Sequence, residues 1–163
     1  MSIEFYSKLL PNEGTYCVAV LPAGEGQRMR HIFVDSIDEL VDRVEEKKHD
    51  SHVFIGMANF DGHSRKKAKS LKSFFVDLDV GDTKEFSTQE EAVNALGKFI
   101  QSQKLPPPVV VDSGNGIHAY WMLDTAVPVE EWKLYADKFK QLCIDNGLEI
   151  DPAVTADKAR ILR

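Results

Sequence analysis

Phe74-Phe75-Val76-Asp77-Leu78-Asp79-Val80 is an apolar stretch that carries two acids at alternate positions. In an extended chain, residues i and i+2 project from the same face, so Asp77 and Asp79 aim both carboxylates one way. Apolar flanks make such a pair costly unless a cation sits beside it, and a pair of divalent metal ions is a candidate. An edge strand with one solvated face would carry the same pattern. Further along, Ser113-Gly114-Asn115-Gly116-Ile117-His118-Ala119-Tyr120-Trp121 is a glycine-rich turn that runs into a strand with a histidine. Backbone amides in such a turn can cradle phosphate oxygens. Glycine and asparagine also suit any tight hairpin, since both tolerate positive φ, and His118 could equally be a core histidine.

Outward from these two stretches, strands and helices alternate. Tyr16 to Leu21 and His31 to Val34 read as a hairpin around Pro22–Gly26. Ser36-Ile37-Asp38-Glu39 is a capping box, and Ile37, Leu40, Val41 and Val44 follow at helical spacing to about Lys48. Val53 to Phe60 is the next strand, a basic loop follows, and Ser73 to Val80 is the acid-bearing strand. A second capping box, Ser87-Thr88-Gln89-Glu90, opens a helix to about Gln103, with Ala92, Ala95, Leu96, Phe99 and Ile100 as its buried stripe. Pro106-Pro107-Pro108 stops it. Val109-Val110-Val111, apolar throughout, predicts a strand buried on both faces. Ile117 to Leu123 pairs back across the Ser113–Gly116 turn. Pro128 opens a third helix whose stripe is Trp132, Tyr135, Ala136, Phe139, Leu142 and Cys143, capped by Gly147. Leu148 to Asp151 is a short extended piece.

The expected fold class is α/β in the α+β sense: a mixed, largely antiparallel sheet with flanking helices. Gly24-Glu25-Gly26 does not continue to a third glycine opening a helix, and no Walker A loop is present, which excludes the common dinucleotide and P-loop folds. The 163 residues suit a single domain, 1–163, or two small lobes. The ending at Arg163, inside what reads as a structured segment, suggests a fragment of a longer polypeptide.

Composition is that of an ordinary globular protein, 43% hydrophobic and 28% charged. No apolar run approaches the roughly 20 residues of a membrane span, and the N-terminus lacks the pattern of a secretory signal. A cytoplasmic location is expected. Cys17 and Cys143 have no CxxC partner and read as small core hydrophobes. The net charge of −6 disfavours uniform nucleic-acid binding, but Arg65, Lys66, Lys67, Lys69 and Lys72 crowd positive charge into one stretch. Such a cluster is either a solvated loop or a phosphate contact. His31, His49, His52 and His63 have no metal-ligand spacing and read as surface or loop residues.

Two-metal catalysis clamps the attacking and leaving oxygens of a phosphoryl displacement between ions roughly 3.5–4 Å apart. Magnesium needs only two or three carboxylates because it keeps several waters. Asp77 and Asp79 supply two. Asp151, after a hydrophobic pair at the end of an extended stretch, is the best-placed third acid, and Asp157 is the alternative. No Ser-His-Asp or Cys-His arrangement is evident.

Three segments, taken in order, resemble a known family: Phe75-Val76-Asp77-Leu78-Asp79, then Ser113 through Trp121, then Ile150-Asp151-Pro152 continuing to Asp157-Lys158-Ala159-Arg160-Ile161-Leu162-Arg163. Their pattern is similar to that of the archaeo-eukaryotic primase superfamily. More narrowly, it resembles the primase or primase-polymerase domains at the N-termini of phage and plasmid replication proteins. The resemblance spans Val53 to Arg163. It implies two lobes around a cleft, one like an RNA-recognition-motif (RRM) sheet. It also implies a DNA primase or polymerase: a nucleotidyltransferase that joins nucleotides from NTP or dNTP on a single-stranded DNA template with Mg2+ or Mn2+.

By the same resemblance Asp77, Asp79 and Asp151 would be metal ligands. Ser113, Gly114, Gly116 and His118 would hold the triphosphate, with His118 counted among the catalytic groups. Arg160 and Arg163 would contact phosphate or template; without the resemblance they read equally well as a solvated C-terminal turn. A helicase domain or subunit is an implied partner. The Pro-Gly-Thr-x-Asn-like segment expected after the second arginine lies beyond the end of this sequence. Two other readings stand beside this one: a non-catalytic module for binding single-stranded nucleic acid, and a metal-dependent nuclease.

Overall fold

The computed structural model describes residues 2–163. Along the chain run α1 (Ile3–Leu9), β1 (Tyr16–Pro22), β2 (Arg30–Val34), α2 (Ile37–Lys47), β3 (Ser51–Gly56) and β4 (Ala58–Phe60). A 3-10 turn at Arg65–Lys67 leads into β5 (Ala68–Asp79). Then come α3 (Gln89–Gln103), β6 (Val109–Asp112), β7 (Gly116–Pro128), α4 (Val129–Asp145) and β8 (Ile161–Leu162). The fold is α+β, with two four-stranded sheets ordered β2-β1-β3-β8 and β4-β5-β7-β6. The chain divides into two compact units: residues 1–72, 123–132 and 158–163 form one, and residues 73–122 and 133–157 the other.

In the first unit, β1 pairs with β2 and β3 antiparallel, and β8 completes the edge through Ile55↔Leu162 and Gly56↔Ile161. The expected hairpin of Tyr16–Leu21 with His31–Val34 is this β1–β2 pair. Ser36 caps α2 by accepting from the Glu39 amide, while Glu39 accepts from the Asp35 amide. Leu40, the buried residue of that helix, is removed from water entirely, a burial that contributes about 1.5–3 kcal/mol.

Helix α1 has no counterpart in the sequence reading. Ser2 caps it by accepting from the Phe5 amide, and Tyr6 and Leu9 are its buried residues. At seven residues it is too short for periodicity to register.

The single strand expected over Val53–Phe60 is two strands. They part at Met57, whose amide donates to the Arg160 carbonyl. β3 belongs to one sheet and β4 to the other, and Asn59 holds the change of direction. Its side-chain amide donates to the Glu13 carbonyl, and its oxygen accepts from the Ser70 amide and hydroxyl.

In the second unit the apolar cluster joins Val76 and Leu78 of β5 to Ala92, Leu96 and Phe99 of α3. Ile117, Ala119 and Trp121 of β7 and Cys143 of α4 complete it. Two capping residues shift by one from expectation: the N-cap of α3 is Thr88, which accepts from the Glu91 amide, while Glu91 accepts from the Ser87 amide. The three valines of β6 are not buried on both faces. Val109 and Val110 are each 43% exposed, because β6 is an edge strand paired only with β7. Tyr135, expected in the buried stripe of α4, is exposed, while Ala136 and Cys143 are buried. Gly147 closes that helix at φ +69, and the Leu148 amide donates to the Cys143 carbonyl.

Both cysteines are buried and unpaired. Burial pushes the thiol of Cys17 up to about 11 and that of Cys143 up to about 12, as expected for inert core residues. Among the described residues, no helix is long and apolar enough to cross a membrane.

Candidate active site

Strand alternation sorts β5 and β7 into two faces. Val76 and Leu78 on β5, with Ile117, Ala119 and Trp121 on β7, go to the helix-covered apolar cluster. Period two therefore sends Asp77 and Asp79, with His118 and Tyr120, to the opposite face. All of these residues belong to the second unit. There His118 Nε2 lies 3.5 Å from Asp77 Oδ1, with the two side chains 5% and 15% exposed. Tyr120 Oη lies 3.1 Å from His118 Nδ1. When the tyrosine donates to Nδ1, the ring proton sits on Nε2, toward Asp77.

Asp151 arrives from the other end of the sequence through its main chain: its amide donates to the Asp77 carbonyl at 3.0 Å. Its own carboxylate accepts from the Ala153 amide at 2.8 Å, an Asx turn that fixes the side chain. Asp157 lies one turn further on, its amide donating to the Val154 carbonyl.

The glycine-rich turn is seated against β5. The Val80 amide donates to the Asn115 carbonyl at 2.9 Å. At Gly116 a Cβ would come within 2.2 Å of the Leu78 carbonyl oxygen and 3.1 Å of Asp79 Cα, so no other residue permits this approach. Two of the amides expected to cradle phosphate are engaged within the turn itself. Ser113 donates to the Gly116 carbonyl, and Gly114 donates to Asp112 Oδ1.

Lys84 was not anticipated. It follows a tight turn in which its amide donates to the Gly81 carbonyl, and its ammonium reaches Asp79 Oδ2 at 2.8 Å. The hydrogen bond and charge of Asp79 hold this ammonium above the ordinary lysine range, with Glu85 and Asp151 adding smaller contributions of the same sign. The sequence signal was a glycine two residues after Asp79 with a lysine three residues on, enough for a turn to fold back.

Among the described residues, no three His, Cys, Asp or Glu side chains are arranged to hold a metal ion. The chemistry of the donors nonetheless fits a hard divalent cation. Carboxylate oxygens are the ligands such an ion takes, and the Lys84 ammonium at Asp79 marks an oxygen that already accepts positive charge.

Arg160 and Arg163 belong to the first unit. Arg160 is half-buried and its carbonyl accepts from the Met57 amide. Arg163 borders a cavity of about 280 Å³ with Tyr6, Val44, Glu45 and Lys48. The basic stretch also resolves into separate roles. Lys72 is buried, donating to the Ser7 carbonyl and Asn12 Oδ1, so it is a structural cation. Arg65 donates to the Ala159 carbonyl and faces His31, and Lys66, Lys67 and Lys69 remain exposed. Tyr120 and Trp121 are buried, which removes them as stacking platforms.

No protein-family model matches the chain, and no curated protein matches it. Among solved structures it is similar to the AEP domain of the cyanophage S-2L primase-polymerase (PrimPol). The two are 21% identical with a TM-score of 0.65, and the match covers 99% of this chain and 78% of that one. The chain shares the fold of that domain.

Proposed function

We propose that this chain is a primase or primase-polymerase catalytic domain that joins nucleotides from nucleoside triphosphates along a single-stranded DNA template. The reading rests on one observation above all. Asp77, Asp79 and His118 share one sheet face, and Asp151 is tied to Asp77 through the main chain, beside a glycine turn pressed onto β5. The likeness in fold to a phage primase-polymerase domain supports it.

In this reading Asp77, Asp79 and Asp151 hold Mg2+ or Mn2+, with Asp157 as the alternative third acid. When bound, these ions would polarise the phosphoryl oxygens and make the attacking 3′-hydroxyl more acidic. The protein's own groups orient the reactants. His118, fixed by Tyr120 on one nitrogen, presents its other N–H toward the carboxylate face, where it can donate to a phosphate oxygen. The Ser113 hydroxyl and the remaining turn amides offer further donors to the triphosphate. Lys84 leaves Asp79 as the substrate arrives and places its ammonium near the phosphates. Catalysis of this kind needs positioning and electrostatic stabilisation rather than a side-chain nucleophile.

The test is dinucleotide and primer synthesis on single-stranded DNA with Mg2+ or Mn2+. Asp77→Ala combined with Asp79→Ala is expected to abolish synthesis while circular dichroism stays unchanged. Synthesis at the parental rate by the double variant would refute the assignment. Degradation of labelled DNA in the absence of triphosphates would select a nuclease instead.

A further inference from the structure

We infer that a cavity in the first unit, between His63 and Arg65, is a docking site for one nucleotide of a single-stranded nucleic acid. The base stacks on the His63 ring, and the adjoining backbone phosphate is met by Arg65 and Lys66. The inference rests on the proposed function for its partner and adds where on the chain that strand is held.

The cavity is open to solvent and offers about 470 Å³, room for a nucleobase and its phosphate. His31, Phe33, His63, Arg65 and Lys66 are among the residues that line it, and among the described residues no acidic side chain does. Phe33 and His63 lie flat on one another, with ring centroids 5.4 Å apart and planes 8° from parallel. Phe33 is itself held edge-on by the buried Phe60, at 6.1 Å and 87°. His63 is exposed, so an anchored aromatic pair presents one outer ring to solvent. Flat rings of this kind take any base, because every base has a π-face.

The cationic side of the cavity is equally fixed. One terminal nitrogen of the Arg65 guanidinium donates to the Ala159 carbonyl, and the other lies 3.2 Å from His31 Nε2. Arg65 Nε is shielded from solvent and has no partner among the described residues. Because a guanidinium has only donors, His31 Nε2 accepts in that contact and orients the arginine, and burial with the neighbouring Arg65 charge pushes the ring below the ordinary histidine range. Lys66 adds a second exposed charge from the 3-10 turn. A site with two cations, no carboxylate and a pre-stacked ring pair matches the two parts of a nucleotide unit. It resembles neither an apolar ligand pocket nor a metal site.

The experiment measures fluorescence anisotropy of a labelled 15-nucleotide oligo(dT) with the full chain at several salt concentrations. His63→Ala combined with Lys66→Ala is expected to weaken binding by about tenfold or more, within the range of lost stacking on one base. Lys66→Ala alone is expected to reduce the salt slope by about 0.7, the value for one phosphate of a single strand. His63→Trp restores affinity. Parental affinity and slope in the double variant would overturn the inference, as would a parental chain that does not bind the oligonucleotide at low salt.

Binding of dTMP, measured separately, tests the other source of the same chemistry. If the double variant loses dTMP binding but keeps the oligonucleotide, the cavity serves a free nucleotide and the inference fails. Failure of the catalytic reading is distinguishable. A parental chain that binds the strand through His63 and Lys66 yet makes no primers loses its proposed activity and keeps this site. Primer synthesis with strand binding indifferent to both residues does the reverse.

Discussion

The amide of Asp151 donates to the carbonyl of Asp77 at 3.0 Å, joining two distant acids of the sequence through backbone rather than through side chains. Their relative position is therefore set by main-chain geometry, and the charge of either can be changed without undoing it.

Asp151→Asn isolates that charge. An asparagine oxygen can still accept from the Ala153 amide, and the bond to Asp77 is untouched. Stability measured by urea denaturation should change by less than about 0.5 kcal/mol, as at an ordinary surface site. Primer synthesis should fall by about 100-fold or more, the scale of one lost preorganised electrostatic contact. Unchanged synthesis would remove Asp151 from the catalytic set and direct attention to Asp157.

Gly116→Ala should be costly out of proportion to one methyl group. Its Cβ would meet the Leu78 carbonyl oxygen at 2.2 Å, and that oxygen belongs to a central strand that cannot easily retreat. A loss of about 1–3 kcal/mol is expected from overpacking. Because the displaced atoms adjoin Asp79, synthesis should fall as well. A stability equal to the parent's would show that β5 yields at this point.

Lys84→Ala frees Asp79 Oδ2 from its ammonium. Binding of Mn2+ in the absence of nucleotide, followed by electron paramagnetic resonance, should strengthen a few-fold. The Michaelis constant for nucleoside triphosphate should rise, since a positive charge is lost from the phosphate side. Weaker Mn2+ binding would instead make Lys84 a support for the carboxylate.

Tyr120→Phe removes the hydroxyl beside His118 Nδ1 without changing the buried ring. About 0.5–1.5 kcal/mol of stability should be lost. Synthesis should decline at saturating triphosphate because the histidine is no longer held in one tautomer and orientation. A parental pH profile would argue that the tyrosine is a packing residue only.

The thiols give the pH dependence at the alkaline end. Cys17 and Cys143 are raised from an ordinary 9.0 to about 11 and about 12 in the folded chain. Below pH 9 both are neutral folded or unfolded, and their contribution is fully present. As pH rises above 9 the unfolded thiols ionise while the folded ones stay protonated, so stability falls through the window up to about 11–12. Replacing both cysteines with alanine should flatten that part of the stability profile. A thiol reagent at pH 8 should label neither cysteine until the chain unfolds.

Local rules in the sequence determined a good part of this protein. Alternation in Phe74–Val80 places Asp77 and Asp79 opposite Val76 and Leu78. Ser36 fixes the start of α2, and Gly147 closes α4. These features need only neighbours along the chain, because strand and helix periodicity and capping act over a few residues. Tertiary structure alone decided the rest. β6 is an apolar run that ends at a sheet edge, since burial depends on what covers a strand and not on its own composition. Lys72 looked like a surface charge in a basic run, yet it is buried on Ser7 and Asn12, partners far from it in sequence. The meeting of Asp151 with Asp77, and of Arg65 with Ala159, belongs to the same class. Contacts between distant residues are fixed by how whole elements pack, and no short window of sequence carries that information.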